Sequence, residues 1–157
     1  MSDSVFRAVD APPEVIWKII TDITRIPEWS PECVRCEWVE GDSAVPGATF
    51  RGTNRRYGAE WTTIATVERA EANKDFTFVT DKGSNRSTRW QYRIDATNEG
   101  TLLTERYEYL SIRPWVKFLF VLFNRSGTMK ENLRQSLDKI AEIAEREAGS
   151  PISFRRP

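Results

Sequence analysis

Histidine is absent from the 157 residues. Its absence excludes Ser-His and Cys-His nucleophile pairs, histidine general bases, His-containing zinc sites and His-ligated haem. Cysteine is nearly absent as well: Cys33 and Cys36 make up the whole count of 2. That is too few for a four-thiolate zinc site or a disulfide scaffold, so no metal and no cofactor are expected. A surplus of either charge is also missing, with 23 basic and 23 acidic side chains giving a net charge of zero. Non-specific nucleic-acid binding needs a basic excess to displace counterions, so no nucleic-acid partner is expected. No apolar run approaches the roughly 20 residues of a membrane-spanning helix; the longest, Trp115 to Phe123, is interrupted by Lys117. The opening MSDSVFRAVD lacks the apolar stretch of a signal peptide, and a cytoplasmic location is expected.

Aromatic residues, in contrast, reach 11%, including 6 Trp and 8 Phe. A chain of this length is expected to form one domain with a sizeable core. The reading here is a single domain over 1–149 followed by a flexible tail at 150–157, which carries Pro151 and Arg155-Arg156-Pro157.

The periodicity changes twice along the chain. Residues 4–10 alternate weakly, as a short strand does. Asp10-Ala11-Pro12-Pro13-Glu14 then reads as a helix entry, with prolines in the first turn and an acid near the positive end of the helix dipole. Val15, Ile16, Ile19, Ile20 and Ile23 form one helical face, and Ile26-Pro27-Glu28-Trp29 a second short turn before Pro31. The period is then two, with strands expected near 33–38 and over 48–55, 60–68, 75–81, 87–97 and 101–110. Short loops between such strands indicate an antiparallel meander. In the last third, Met129, Leu133, Leu137, Ile140 and Ala144 make one stripe of an amphipathic helix over 128–147. The fold class expected is therefore α+β: a curved antiparallel sheet gripping a long C-terminal helix, with space between them.

In order and spacing, four segments resemble the START-like, polyketide cyclase/dehydrase superfamily (SRPBCC), the helix-grip fold. They are Ala11-Pro12-Pro13-Glu14-Val15-Ile16-Trp17, Asp22-Ile23 with Pro27-Glu28-Trp29, Pro46-Gly47-Ala48-Thr49-Phe50, and Gly100-Thr101-Leu102-Leu103-Thr104-Glu105. The resemblance covers roughly residues 4–147. It implies a fold and a cavity rather than a reaction, since the superfamily includes aromatase/cyclases, lipid carriers and hormone receptors. In the aromatase/cyclases an inward Arg helps hold the polyketide, and Arg51 is the nearest candidate here by position.

Strand alternation assigns faces independently of that resemblance. Trp90, Tyr92 and Ile94 share a face, as do Leu103, Glu105, Tyr107 and Tyr109 on the next strand. A turn at Asn98-Glu99 sets Tyr92 opposite Glu105 and Trp90 opposite Tyr107; a turn at Glu99-Gly100 slides this pairing by two. Either way Glu105 stands on an aromatic face, where an unpaired carboxylate is costly and must be paired, hydrogen-bonded or protonated. Glu105 is the best candidate for a catalytic group, with a satisfied or solvent-reaching Glu as the alternative. Pairing Asn54 with Trp61 places Phe50, Gly52, Asn54, Trp61, Thr63, Ala65 and Val67 on the same face. Arg55 then opposes Glu60 on the other, so Arg51, Arg55 and Arg56 are expected on a solvated convex surface. The cavity side chains expected to touch a ligand are Asn54, Trp61, Trp90, Tyr92, Glu105, Tyr107, Met129 and Leu133.

Cys33-Val34-Arg35-Cys36 matches C-x-x-C as a string. On a regular strand, however, the two cysteines point to opposite faces about 10 Å apart, too far for a disulfide. Residues 115–123 are apolar nearly all round and are read as extra core and a cavity lid, with an oligomer contact or transient membrane contact through 114–124 as alternatives. The expected function is binding of a hydrophobic small molecule or lipid, as a carrier or sensor, by a monomer or homodimer. The alternative is a polyketide aromatase/cyclase or dehydratase working through Glu105 and the tyrosines; whether the protein is an enzyme is left open by the sequence.

Overall fold

The structure is a computed structural model that describes residues 2–84, 87–115, 118 and 125–149. The tail at 150–157 and most of the apolar segment at 115–123 lie outside the described residues. Seven strands form one sheet: β1 (Ser2–Val9), β2 (Cys33–Glu40), β3 (Thr49–Arg56), β4 (Ala59–Glu71), β5 (Asp75–Thr80), β6 (Thr88–Thr97) and β7 (Gly100–Tyr109). The spatial order is β1-β7-β6-β5-β4-β3-β2, antiparallel throughout, so the meander runs from β2 to β7 and β1 closes the far edge. Between β1 and β2 the chain forms α1 (Pro13–Thr21) and a 3-10 turn (Ile23–Glu28). The long helix α2 (Arg125–Glu147) packs across the concave face of the sheet against β1, β7 and α1. This is the α+β helix-grip arrangement that the change of period implies.

Local chemistry sets the ends of these elements. Pro12 is the N-cap of α1 and Pro13 opens it, where the missing N–H costs nothing. The Asp22 carboxylate caps the 3-10 turn, accepting from the Thr24 backbone N–H at 3.2 Å and the Thr24 hydroxyl at 2.6 Å. At the end of α2 the Ala148 N–H donates to Ala144 O and the Gly149 N–H to Arg146 O, with Gly149 in the left-handed region at φ 63°. Arg25 joins that end to the 3-10 turn, reaching Glu28 at 2.8 Å and Glu147 at 2.5 Å.

The core is continuous from α1 through the sheet to α2. Ile16, Ile19, Ile20 and Ile23 from the N-terminal helices and Leu133, Leu137, Ile140 and Ala144 from α2 are all buried. They meet Phe76, Leu103 and Val67 from the concave face. Burying a Leu, Ile, Val or Phe side chain contributes roughly 1.5–3 kcal/mol, so this layer dominates stability over the exposed ion pairs, each of which is worth about 1 kcal/mol or less.

Candidate functional site

Registers across the sheet decide which side chains face α2. The β6–β7 hairpin turns at Asn98-Glu99, and Tyr92 stands opposite Glu105, Trp90 opposite Tyr107 and Ile94 opposite Leu103. The β3–β4 hairpin turns at Tyr57-Gly58, setting Asn54 opposite Trp61 and Arg55 opposite Glu60. Between this face and α2 lies a cavity of about 200 Å³. Its walls come from the whole grip: Trp29 after the 3-10 turn, Asn54 and Trp61 from the β3–β4 hairpin, Trp90 and Tyr92 from β6, Glu105 from β7, and Met129, Leu133 and Ser136 from α2.

Of the eight side chains expected at a ligand, seven line this cavity: Asn54, Trp61, Trp90, Tyr92, Glu105, Met129 and Leu133. Tyr107 does not. It sits on the concave face as its register requires, but is buried under neighbouring rings, with Trp90 at 6.0 Å and Tyr109 at 5.3 Å between centroids. Tyr109, one pair further along the strand, takes a place in the lining instead.

Glu105 is 2% exposed. Its Oε1 accepts a 2.8 Å hydrogen bond from the Tyr92 hydroxyl, and its Oε2 is buried with no partner among the described residues. Desolvation raises its pKa to about 8, against the smaller opposing effect of the Tyr92 bond. At neutral pH the group is therefore mostly the uncharged acid. Since Oε1 already accepts from Tyr92, the acid proton belongs on Oε2. Burial, reinforced by the neighbouring Glu105, also holds the Tyr92 phenol well above its ordinary value, with the Trp29 side chain acting in the opposite direction. The Tyr92 hydroxyl thus donates to Glu105, whose own acid hydrogen has no acceptor among the described residues. Trp29 is absent from the residues that alternation points to, because it follows an irregular turn that no strand or helix period reaches.

The cavity edge is polar. Glu32 accepts from Arg56 at 2.5 Å and from the Asn132 amide at 3.1 Å. Arg56 is not on the convex surface as expected. As the last residue of β3 it shares the concave phase of Asn54, and its side chain is only 20% exposed. Arg51 and Arg55 do face outward, pairing with Glu37 at 3.4 Å and Glu60 at 2.9 Å. Arg51 therefore does not take the inward position that the resemblance implied. Arg89 is likewise engaged on the convex side, between Glu68 at 3.0 Å and Glu108 at 3.1 Å.

The cysteines correct the sequence reading most sharply. Both are buried, both line the cavity, and their Sγ atoms are 3.5 Å apart. The strand is not regular there: Cys33 pairs with Asn54 but Arg35 with Thr53, so β2 advances two residues while β3 advances one. Val34 is the extra residue, and it is 44% exposed. This bulge shifts the alternation by one and brings Cys33 and Cys36 to the same side. Among the described residues no group of three or more acidic or thiol side chains is placed to hold a metal ion, and no helix is long and apolar enough to cross a membrane. Trp115 and Phe118, the described apolar residues of the 115–123 segment, are exposed.

An antiparallel sheet curled over one long helix, with a cavity walled by aromatic rings and the buried Glu105 between them, defines the helix-grip fold. Residues 4–145 match the family described as polyketide cyclase / dehydrase and lipid transport, and the chain belongs to that family. Solved structures share the fold. TTHA0849 from Thermus thermophilus superposes with a TM-score of 0.75 at 18% identity, over 94% of this chain and 99% of that one. The di-domain ARO/CYC StfQ from the steffimycin biosynthetic pathway gives 0.75 at 17% identity, over 94% of this chain and 51% of the other. The Polyketide_cyc-like protein Cgl2372 from Corynebacterium glutamicum gives 0.57 at 26% identity, over 99% and 95%. No curated protein matches the chain.

Proposed function

We propose that the protein binds a compact hydrophobic molecule carrying a hydrogen-bond-accepting oxygen, and acts as its carrier or sensor. The observation that carries this reading is the unpartnered Oε2 of Glu105 on the wall of an otherwise largely apolar cavity. A neutral acid in that position donates to a carbonyl or ether oxygen, while Trp29, Trp61, Trp90 and Met129 supply apolar contact. The volume, about 200 Å³, exceeds the roughly 150 Å³ of a dry engineered cavity that holds benzene. It suits one or two rings, or a short chain, better than a two-tailed lipid.

The cyclase or dehydratase reading draws on the same acid, which is protonated at neutral pH and could protonate a ligand oxygen. That chemistry also requires a base. The other two carboxylates of the lining are occupied: Glu32 accepts from Arg56 and Asn132, and Asp81 accepts the Ile64 N–H at 3.2 Å. Binding without turnover is therefore the better supported reading. Titration with 2-acetylnaphthalene, a bicyclic ketone, tests it through tryptophan fluorescence, because three Trp side chains line the cavity. Saturable quenching that weakens several-fold in Glu105→Leu is expected, since that substitution removes one hydrogen bond of about 0.5–1.5 kcal/mol. Quenching that never saturates, or that Glu105→Leu leaves unchanged, would refute the assignment.

A further inference from the structure

The structure assigns a modification site that is separate from the acid: Cys33 and Cys36 form a dithiol in the cavity wall that a hydroperoxide converts to an intramolecular disulfide. The bulge at Val34 makes the site possible. An unbroken strand would separate these residues across the sheet, whereas here the sulfurs lie on one side, 3.5 Å apart. A disulfide bond is about 2.05 Å long, so closure requires the sulfurs to approach by roughly 1.5 Å.

The surroundings are built for the pair. Gly52 stands directly across from Cys36, and a Cβ there would lie 3.6 Å from its Sγ and 3.2 Å from Thr63 Oγ1. The absence of a side chain at 52 leaves the thiol room beside the cavity. Cys33 Sγ also lies 3.4 Å from the Arg35 carbonyl. The hydrogen bond shared between the two sulfurs lowers the Cys33 pKa and, with burial, raises that of Cys36, which makes Cys33 the sulfur that ionises first. With no other cysteine in the chain, each can form an intramolecular bond only with the other.

The chemistry balances with a hydroperoxide, ROOH, as the two-electron oxidant. The Cys33 thiolate attacks the terminal oxygen and the O–O bond breaks. The departing alkoxide takes up the proton that Cys33 released, leaving ROH and a Cys33 sulfenic acid. The Cys36 sulfur then attacks the Cys33 sulfur; the S–O bond breaks, and the hydroxide leaves as water with the Cys36 proton. Two thiols are oxidised to one disulfide, and ROOH is reduced to ROH and water. With hydrogen peroxide R is hydrogen, and with an organic hydroperoxide R occupies the apolar cavity. The site does not depend on which ligand the cavity carries.

Intact-mass spectrometry of the reduced full chain after stoichiometric hydrogen peroxide or cumene hydroperoxide tests the proposal. The monomer should lose about 2 Da, resist iodoacetamide at both positions and recover with dithiothreitol. Faster closure with cumene hydroperoxide would identify an organic peroxide held in the cavity as the source, and faster closure with hydrogen peroxide a small one. Native protein should close at least about tenfold faster than the same chain in urea, because the fold holds the sulfurs together. Cys36→Ser should stop at a sulfenic acid, a gain of about 16 Da that dimedone traps at Cys33. Two alkylatable thiols remaining after oxidant, disulfide-linked dimers alone, stepwise oxygen addition without the 2 Da loss, or equal rates in the folded and unfolded chain would each overturn it.

Discussion

Replacing Glu105 by Gln should change how stability depends on pH more than it changes stability at any one pH. The carboxyl goes from an ordinary value of 4.5 to about 8 on folding, chiefly through desolvation. A group whose folded pKa is raised favours the folded state most at pH values where it is protonated in both states. That advantage is lost as pH rises from the unfolded value toward the folded one, because only the unfolded chain can ionise freely. At about 1.4 kcal/mol per unit, the loss is under about 1 kcal/mol at pH 5, about 3 kcal/mol at pH 7, and levels off between about 4 and 5 kcal/mol above pH 8. Gln carries no titratable proton and keeps the shape. Its amide leaves a buried donor unsatisfied, a roughly constant cost of about 1–3 kcal/mol. Urea unfolding of both proteins at pH 5, 6, 7 and 8 separates the two effects, since other carboxylates cancel in the comparison. With a slope near 2 kcal/mol per molar, the wild-type midpoint should fall by about 1–2 M more than the variant's between pH 5 and pH 8. Parallel pH profiles would show that Glu105 is ionised or solvated in the folded protein, and the neutral-acid assignment would fail.

Three further outcomes follow from the packing. Tyr92→Phe removes the 2.8 Å hydrogen bond to Glu105 and leaves a second buried carboxyl oxygen without a partner. It should cost about 1–3 kcal/mol in chemical denaturation and push the Glu105 titration, followed by carboxyl NMR shifts, further upward. Gly100→Ala places a Cβ 2.3 Å from the Val9 carbonyl oxygen at φ +142°, so the β1–β7 edge must distort. A loss of at least about 2 kcal/mol or a failure to accumulate folded protein is expected, and a melting temperature equal to wild type would contradict the geometry. Leu137→Ala empties a fully buried position on α2 and should cost about 2–5 kcal/mol, measured by urea unfolding.

Much of this arrangement is legible in the residues because a helix and a strand sort apolar side chains with different periods. The stripe from Met129 to Ala144 marks α2, and it is buried along its length. The Tyr92–Glu105 opposition is legible to within two registers, since a short turn fixes strand pairing and only the turn position is ambiguous. What escapes is whatever breaks or adds to the periodicity. The bulge at Val34 inserts one residue with no compositional mark, so a regular alternation sends Cys33 and Cys36 to opposite faces, whereas the structure buries both on one side. Tyr107 is on the expected face, but a face is not a cavity: the neighbouring Trp90 and Tyr109 rings cover it. Arg56 is misplaced for a simpler reason. The ion pair at Arg55 invites treating the adjacent arginine as its neighbour on the surface, although one step along a strand reverses the face.

The central claim is that the space between sheet and helix holds a compact apolar molecule, and native mass spectrometry of the protein as expressed tests it most directly. Wild type should carry a dissociable small molecule, or take up added 2-acetylnaphthalene at one equivalent. Ser136→Phe, which projects a ring from a buried position on α2 into the lining, should remain folded and carry neither. Equal uptake by wild type and Ser136→Phe, or no uptake by a folded wild-type protein, would contradict the account.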